Sequence, residues 1–163
     1  YGASKLSGEK EALHFNPSSV IVRTSWVYSS YGKNFVKTMV KLMKERKELS
    51  VVIDQLGSPT YAADIAEALL AIAVSENFSP GIFLYSNEGV ISWHEFATEI
   101  ASLIHADCVI HPIPTSEFPT PAKRPAFSGM DKSRICKEYG IVLKPWKESL
   151  KACIGRLSAE ANA

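Results

Sequence analysis

The chain has 163 residues, 46% of them hydrophobic and 21% charged, which are the proportions of a soluble globular domain long enough to bury a core. Eighteen Lys and Arg against seventeen Asp and Glu leave a formal charge of +1, which excludes a broad nucleic-acid-binding face. No apolar run approaches the roughly 18 residues that a membrane-spanning helix needs.

Residues 2–15 read as a helix that stops at Asn16-Pro17, since proline disfavours helical backbone in the residue before it. Val20 to Thr24 is apolar without alternation, the pattern of a buried parallel strand. After a loop at Ser29-Ser30-Tyr31-Gly32, Asn34 caps a helix over 35–46. Its buried stripe is Phe35, Val36, Met39, Val40, Leu42 and Met43. The basic run Lys41 to Lys47 is the solvated end of that helix, with cations near its C-terminus. Leu49 to Ile53 is a strand and Gly57-Ser58-Pro59 a turn. A helix over 62–75 turns Ile65, Leu69, Ile72 and Ala73 inward. Asp64 stands in its first turn, where the helix dipole favours an anion.

Gly81 to Tyr85 is a second short apolar strand. Ser92 and Glu95 form a capping box for a helix reaching about His105, and Cys108 to His111 is a strand. Pro112, Pro114, Pro119, Pro121 and Pro125 then divide a loop too long for mere connection. Asp131 caps a short helix to Tyr139 that Gly140 ends, and residues 141–143 are extended. The last helix spans 146–157, and Trp93 and Trp146 fall within helical patterns as core aromatics. Alternating strands and helices define the class as α/β, while sheet order is not legible.

Three widely spaced cysteines, Cys108, Cys136 and Cys153, indicate free thiols in a reducing, cytoplasmic compartment. The four histidines show no metal-ligand spacing, so no metal site is expected. Chemistry is concentrated instead at Tyr1-Gly2-Ala3-Ser4-Lys5. Four residues apart on a helix, Tyr1 and Lys5 share one face. A nearby ammonium favours the phenolate, and a phenol so tuned can give its proton to a carbonyl oxygen as hydride reaches the carbon. Trp26, Thr24 and Ser25 follow a buried strand, where open parallel sheets place ligands.

Several segments, in order, carry a family likeness: Tyr1 to Lys5 with Gly8-Glu9, Arg23 to Tyr28, Gly32 to Met39, Val52 to Thr60, Ser92 to Ala97 and Arg124 to Ser128. Together they resemble the extended short-chain dehydrogenases/reductases, and among them the dTDP-4-dehydrorhamnose reductases. That resemblance implies a Rossmann-type fold and NADPH or NADH as cofactor. It implies reduction of a nucleotide sugar, with Tyr1 as general acid and Lys5 reaching the nicotinamide ribose. Thr24 and Ser25 would approach the nicotinamide amide and Trp26 the sugar. Asn34 and Gln55 carry amides able to hold a sugar hydroxyl or thymine edge, although Asn34 is also a good helix cap. Arg124, with its planar fork, suits a diphosphate.

The glycine-rich phosphate loop of that family is absent, so the chain is expected to be the C-terminal portion of a longer enzyme and inactive alone. Residues 1–30 and 61–90 would complete the cofactor sheet, and 31–60 with 91–163 would form the sugar-nucleotide lobe. A bare sheet face would make the fragment aggregate or pair as a homodimer. Competing readings are a non-catalytic relative like the methionine adenosyltransferase regulatory β-subunit, or another nucleotide-sugar reductase or epimerase.

Overall fold

A computed structural model describes residues 1–122 and 124–161. Helix α1 (Gly2–Phe15) leads into β1 (Val20–Arg23) and β2 (Val27–Tyr28). Helix α2 (Phe35–Glu45), β3 (Glu48–Val52), β4 (Leu56–Gly57), β5 (Thr60–Tyr61) and α3 (Ala62–Ala73) follow. Next come β6 (Gly81–Leu84), β7 (Ile91–Ser92), α4 (Trp93–Leu103) and β8 (Val109–Ile113). A 3-10 turn at Thr115–Glu117, β9 (Phe127–Ser128), α5 (Ser133–Tyr139) and α6 (Trp146–Ala161) complete the chain.

The strands pair across long sequence distances and mostly in parallel, so the α/β class read from the pattern is the observed one. β1 runs beside β6, β2 beside β5 and β3 beside β8, all parallel. β4 lies between antiparallel β7 and parallel β9. Among the described residues two apolar cores result. One gathers Val36, Met39 and Met43 of α2, Phe96 and Ile100 of α4, and Leu150 and Cys153 of α6 around Tyr28. The other packs Ala68 and Ile72 of α3 and Ile135 of α5 against Phe83 and Tyr85 at β6.

Local signals set several boundaries. The Asn34 side chain accepts a hydrogen bond from the Lys37 N–H at the start of α2, and Ser92 accepts one from the Glu95 N–H at the start of α4. Gly140 ends α5 with φ 64° and ψ 19°, a left-handed cap that glycine adopts without a Cβ clash. At the edge of the second core, Arg134 donates to the Ile82 carbonyl and lies 4.3 Å from the Phe83 ring centroid. Its guanidinium therefore covers the outer edge of β6.

Three expectations need correction. Gly57-Ser58-Pro59 is no surface turn: Gly57 belongs to β4, and Ser58, Pro59 and Thr60 are fully buried. In α3 the buried set is Asp64, Ala68 and Ile72, while Leu69 and Ala73 face outward. Helix α6 runs on to Ala161 instead of stopping at 157. Helix α1 forms where expected, yet none of its residues is buried. It is tied to β1 by the Glu9–Arg23 ion pair, at 2.6 Å.

Candidate active site

The C-terminal end of β1 passes directly into Thr24-Ser25-Trp26, and three hydrogen bonds fasten this stretch to residues 58–60. The Thr24 hydroxyl donates to that of Thr60 at 3.0 Å, and the Ser25 hydroxyl donates to the Ser58 carbonyl at 3.0 Å. The Thr60 N–H donates to the Trp26 carbonyl at 3.2 Å. Thr24 and Ser25 thus spend their protons inside the chain and keep lone pairs that can accept from an amide N–H.

Trp26 has φ 48°, a left-handed backbone unusual for a bulky residue. Tertiary contacts hold it there. Its indole stacks on that of Trp93, and Phe35 lies 4.6 Å from Trp93 on a tilted plane. A Cβ at Gly57 would stand 2.6 Å from Trp26 Cε2 and 2.4 Å from the Ser128 hydroxyl, so the indole occupies room that only glycine leaves. Trp93 is therefore half core and half platform, which its helical position alone did not reveal.

Gln55 lies two residues before Gly57 and is 9% exposed. Its Nε2 donates to the Thr115 hydroxyl at 3.0 Å. That hydroxyl donates to Asp54 Oδ1 at 2.6 Å, and the Thr115 N–H also points at the Asp54 carboxylate. These bonds from Thr115 hold the Asp54 carboxyl below the usual carboxylate range. Thr115 had no signal in the sequence beyond its place in the proline-rich loop.

Asn34 is largely committed to local structure. Besides capping α2, its amide nitrogen donates to the carbonyls of Ser29 and Tyr31, at 2.7 and 3.2 Å. Tyr1 is 96% exposed at the start of α1, with Lys5 Nζ 5.5 Å from its ring centroid. The ammonium thus stands over the ring, on the shared face that the four-residue spacing predicts. Arg124 is exposed on the loop before β9. The free thiols of Cys108, Cys136 and Cys153 do not enter this region, and burial pushes the Cys153 thiol up to about 11.

Behind the site lies a polar hub that the sequence did not disclose. Asp64 receives hydrogen bonds from Asn87 at 2.7 Å, Ser149 at 2.5 Å and Lys144 at 2.9 Å. Asn87 in turn accepts from the Tyr61 N–H at 2.8 Å, and so fixes β5 beside the Thr60 contact. Burial alone would raise the Asp64 pKa, but the bonds from Ser149, Lys144 and Asn87 outweigh it and hold the carboxyl low. Asp64 stands in the first turn of α3, as expected, and is also an inward-facing hub. Among the described residues no cluster of metal-ligating side chains occurs, and no helix is long and apolar enough to cross a membrane.

Comparisons with known proteins converge. The family model described as the RmlD substrate binding domain matches residues 1–159. A dTDP-4-dehydrorhamnose reductase of Aggregatibacter actinomycetemcomitans is 43% identical over 93% of this chain and 55% of its own length. A solved dTDP-4-dehydrorhamnose reductase from Clostridium acetobutylicum superposes with a TM-score of 0.91 at 41% identity, covering 97% of this chain and 55% of that one. The corresponding Bacillus anthracis structure, determined in complex with NADP, has a TM-score of 0.89 at 39% identity, covering 96% and 54%. The chain spans about half the length of the curated relatives it matches. With its motifs, its fold and its matched length in agreement, this chain belongs to the RmlD substrate-binding-domain family.

Proposed function

We propose that this chain supplies the proton donor and the nucleotide-sugar lobe of an NADPH- or NADH-dependent reductase that converts dTDP-4-dehydro-L-rhamnose to dTDP-L-rhamnose. The observation that carries the reading is the exposed Tyr1 phenol with the Lys5 ammonium over its ring, in a chain 43% identical to a named dTDP-4-dehydrorhamnose reductase. Residues 1–30 and 61–90 then complete the cofactor sheet, while 31–60 and 91–163 form the sugar-nucleotide lobe. Helix α5 lies within the second range but packs on the core of the first.

The residues present fit a nicotinamide. Thr24 and Ser25 retain acceptor capacity for its carboxamide, and Tyr1 and Lys5 offer a hydroxyl and an ammonium toward its ribose. A bound reduced dinucleotide would supply the hydride, and with it the two electrons, for C4 of the sugar. Tyr1 gives its phenolic proton to the C4 oxygen as the C=O π bond opens, so the ketone becomes a secondary alcohol. The Lys5 cation steadies the phenolate that remains until solvent returns the proton. Trp26 and Gln55 line the sugar-nucleotide side, and Arg124 meets the diphosphate.

The test is turnover by the full-length protein of dTDP-4-dehydro-L-rhamnose with NADPH, followed as loss of nicotinamide absorbance. Tyr1→Phe and Lys5→Ala are each expected to lower kcat by at least about 100-fold, in line with the general-acid contribution. A folded full-length protein that leaves the ketone unreduced overturns the reading.

A further inference from the structure

A cleft of about 230 Å³ opens where the loop after β2, the start of α3 and helix α6 meet, lined by Ser30, Tyr31, Tyr61, Ala62, Ala63 and Arg156. The reduction proposed above uses none of these residues. Tyr61 is 4% exposed and Ser30 1%. The hydrogen bonds they make go through the backbone: the Tyr61 N–H donates to Asn87, and the Ser30 carbonyl accepts from Lys37 Nζ at 3.0 Å. Neither hydroxyl has a partner among the described residues, although polar groups this deeply buried nearly always have one. Burial, and then Cys153, push the Tyr61 phenol up from its ordinary value while the Arg156 charge pulls it down. The phenol is thus a proton-bearing donor within reach of the Arg156 cation on the same cleft.

The other walls carry the same sign. Arg23 and Arg134 are each paired with a glutamate, whereas Arg156, exposed on α6, makes no ion pair among the described residues. Helix α3 starts at Ala62 with no capping bond from the Tyr61 side chain, so the positive end of its dipole lies at the cleft. The acid of that first turn, Asp64, is bonded to Asn87 and Ser149 and paired with Lys144, which offsets its charge. We propose that this cleft binds a phosphate-type oxyanion, with the Arg156 guanidinium taking two oxygens and the Tyr61 and Ser30 hydroxyls donating to the others. A tetrahedral oxyanion offers an acceptor to each of these donors, and the planar fork of arginine suits it. The volume lies below the roughly 300 Å³ at which pockets for drug-sized ligands begin, so the cleft takes one phosphate group and not a whole nucleotide.

Calorimetric titration of the full-length protein with inorganic phosphate, against chloride at equal ionic strength, tests the proposal. Arg156→Gln is expected to weaken phosphate binding by about 10- to 100-fold, the loss of a hydrogen bond between charged groups. Tyr61→Phe keeps the ring and is expected to weaken it by about 10-fold. Both variants should melt like wild type in phosphate-free buffer and lose the rise in melting temperature that phosphate gives the wild type. Repeating the titration with saturating dTDP separates two sources of the group. Unchanged phosphate affinity assigns the cleft to free phosphate or a small phosphate ester. Competition, with dTDP affinity lowered in Arg156→Gln, assigns it to the diphosphate of the nucleotide. Phosphate that binds no better than chloride, or equally well to wild type and Arg156→Gln, overturns the proposal; if Arg156→Gln fails to fold, Tyr61→Phe decides in its place. Wild-type protein that binds phosphate here but leaves the ketone unreduced overturns only the proposed function.

Discussion

The indoles of Trp26 and Trp93 stack with centroids 3.5 Å apart and planes 12° from parallel. One ring belongs to the strand end that presents the site, and the other opens helix α4. Aromatic pairs of this kind contribute about 0.5–1.5 kcal/mol beyond their buried area. Trp93→Ala is expected to lose that contribution and to weaken nucleotide-sugar binding more than cofactor binding, while Trp93→Phe retains most of both. Near-UV circular dichroism checks the geometry directly. Coupled indole bands should be present in the wild type and absent from either single-tryptophan replacement.

Gly57→Ala tests the same corner from below. The backbone there needs no positive φ, so the effect is purely steric. The new methyl meets Trp26 and Ser128 well inside contact distance. Overpacking of this kind costs about 1–3 kcal/mol. A melting-temperature drop accompanied by altered tryptophan fluorescence is the expected outcome, and an unchanged melting temperature would show that the indole can move aside freely.

Asn34 separates structural from ligand roles. Asn34→Ala removes the α2 cap and two donations to the 29–31 loop, and is expected to cost about 1–2 kcal/mol. Asn34→Asp keeps the acceptor for the Lys37 N–H and loses only the donations. Chemical denaturation of the two variants should rank them in that order, with nucleotide-sugar affinity little changed once stability is restored by lower temperature.

The Asp64 hub gives the fold an acid dependence. Because the folded-state pKa lies below the ordinary value of 3.8, the carboxylate contributes stability that is fully present above that value. It is lost as pH falls through the lower folded pKa. In Asp64→Asn this part of the acid loss should disappear, along with on the order of 2–3 kcal/mol at neutral pH, the scale of a hydrogen bond to a charged group. Urea unfolding at pH 7 and pH 3 for both proteins measures the difference.

How much of this was legible follows from sequence range. Helix caps at Asn34 and Ser92, the stop at Asn16 and the left-handed Gly140 depend on residues within four positions, and they stand where local chemistry puts them. Gly-Ser-Pro is turn-like on its own, yet Gly57 to Thr60 runs buried. What overrides it is the indole of Trp26 and the pairing of β5 with β2, neither of which local composition contains. Likewise α3 turns Asp64 inward in place of Leu69, because the partners of that carboxylate lie at Asn87, Lys144 and Ser149. The site was half readable. Tyr1, Lys5 and the strand-end trio carry recognisable motifs, but Thr60, which bonds Thr24, Trp93, which stacks on Trp26, and Thr115, which bonds Gln55, have ordinary neighbours and acquire these contacts only across the fold.

The guanidinium over Ile82 has a consequence for association. A strand edge grows by offering free backbone groups, and on β6 the Ile82 carbonyl is already occupied by Arg134. β1, paired on one side with β6, has no second partner among the described residues. The two-stranded sheet is thus a ribbon with a seam on one margin and a hem on the other. Added backbone would find that one carbonyl on β6 already bonded, whereas along β1 it would meet groups without a strand partner among the described residues.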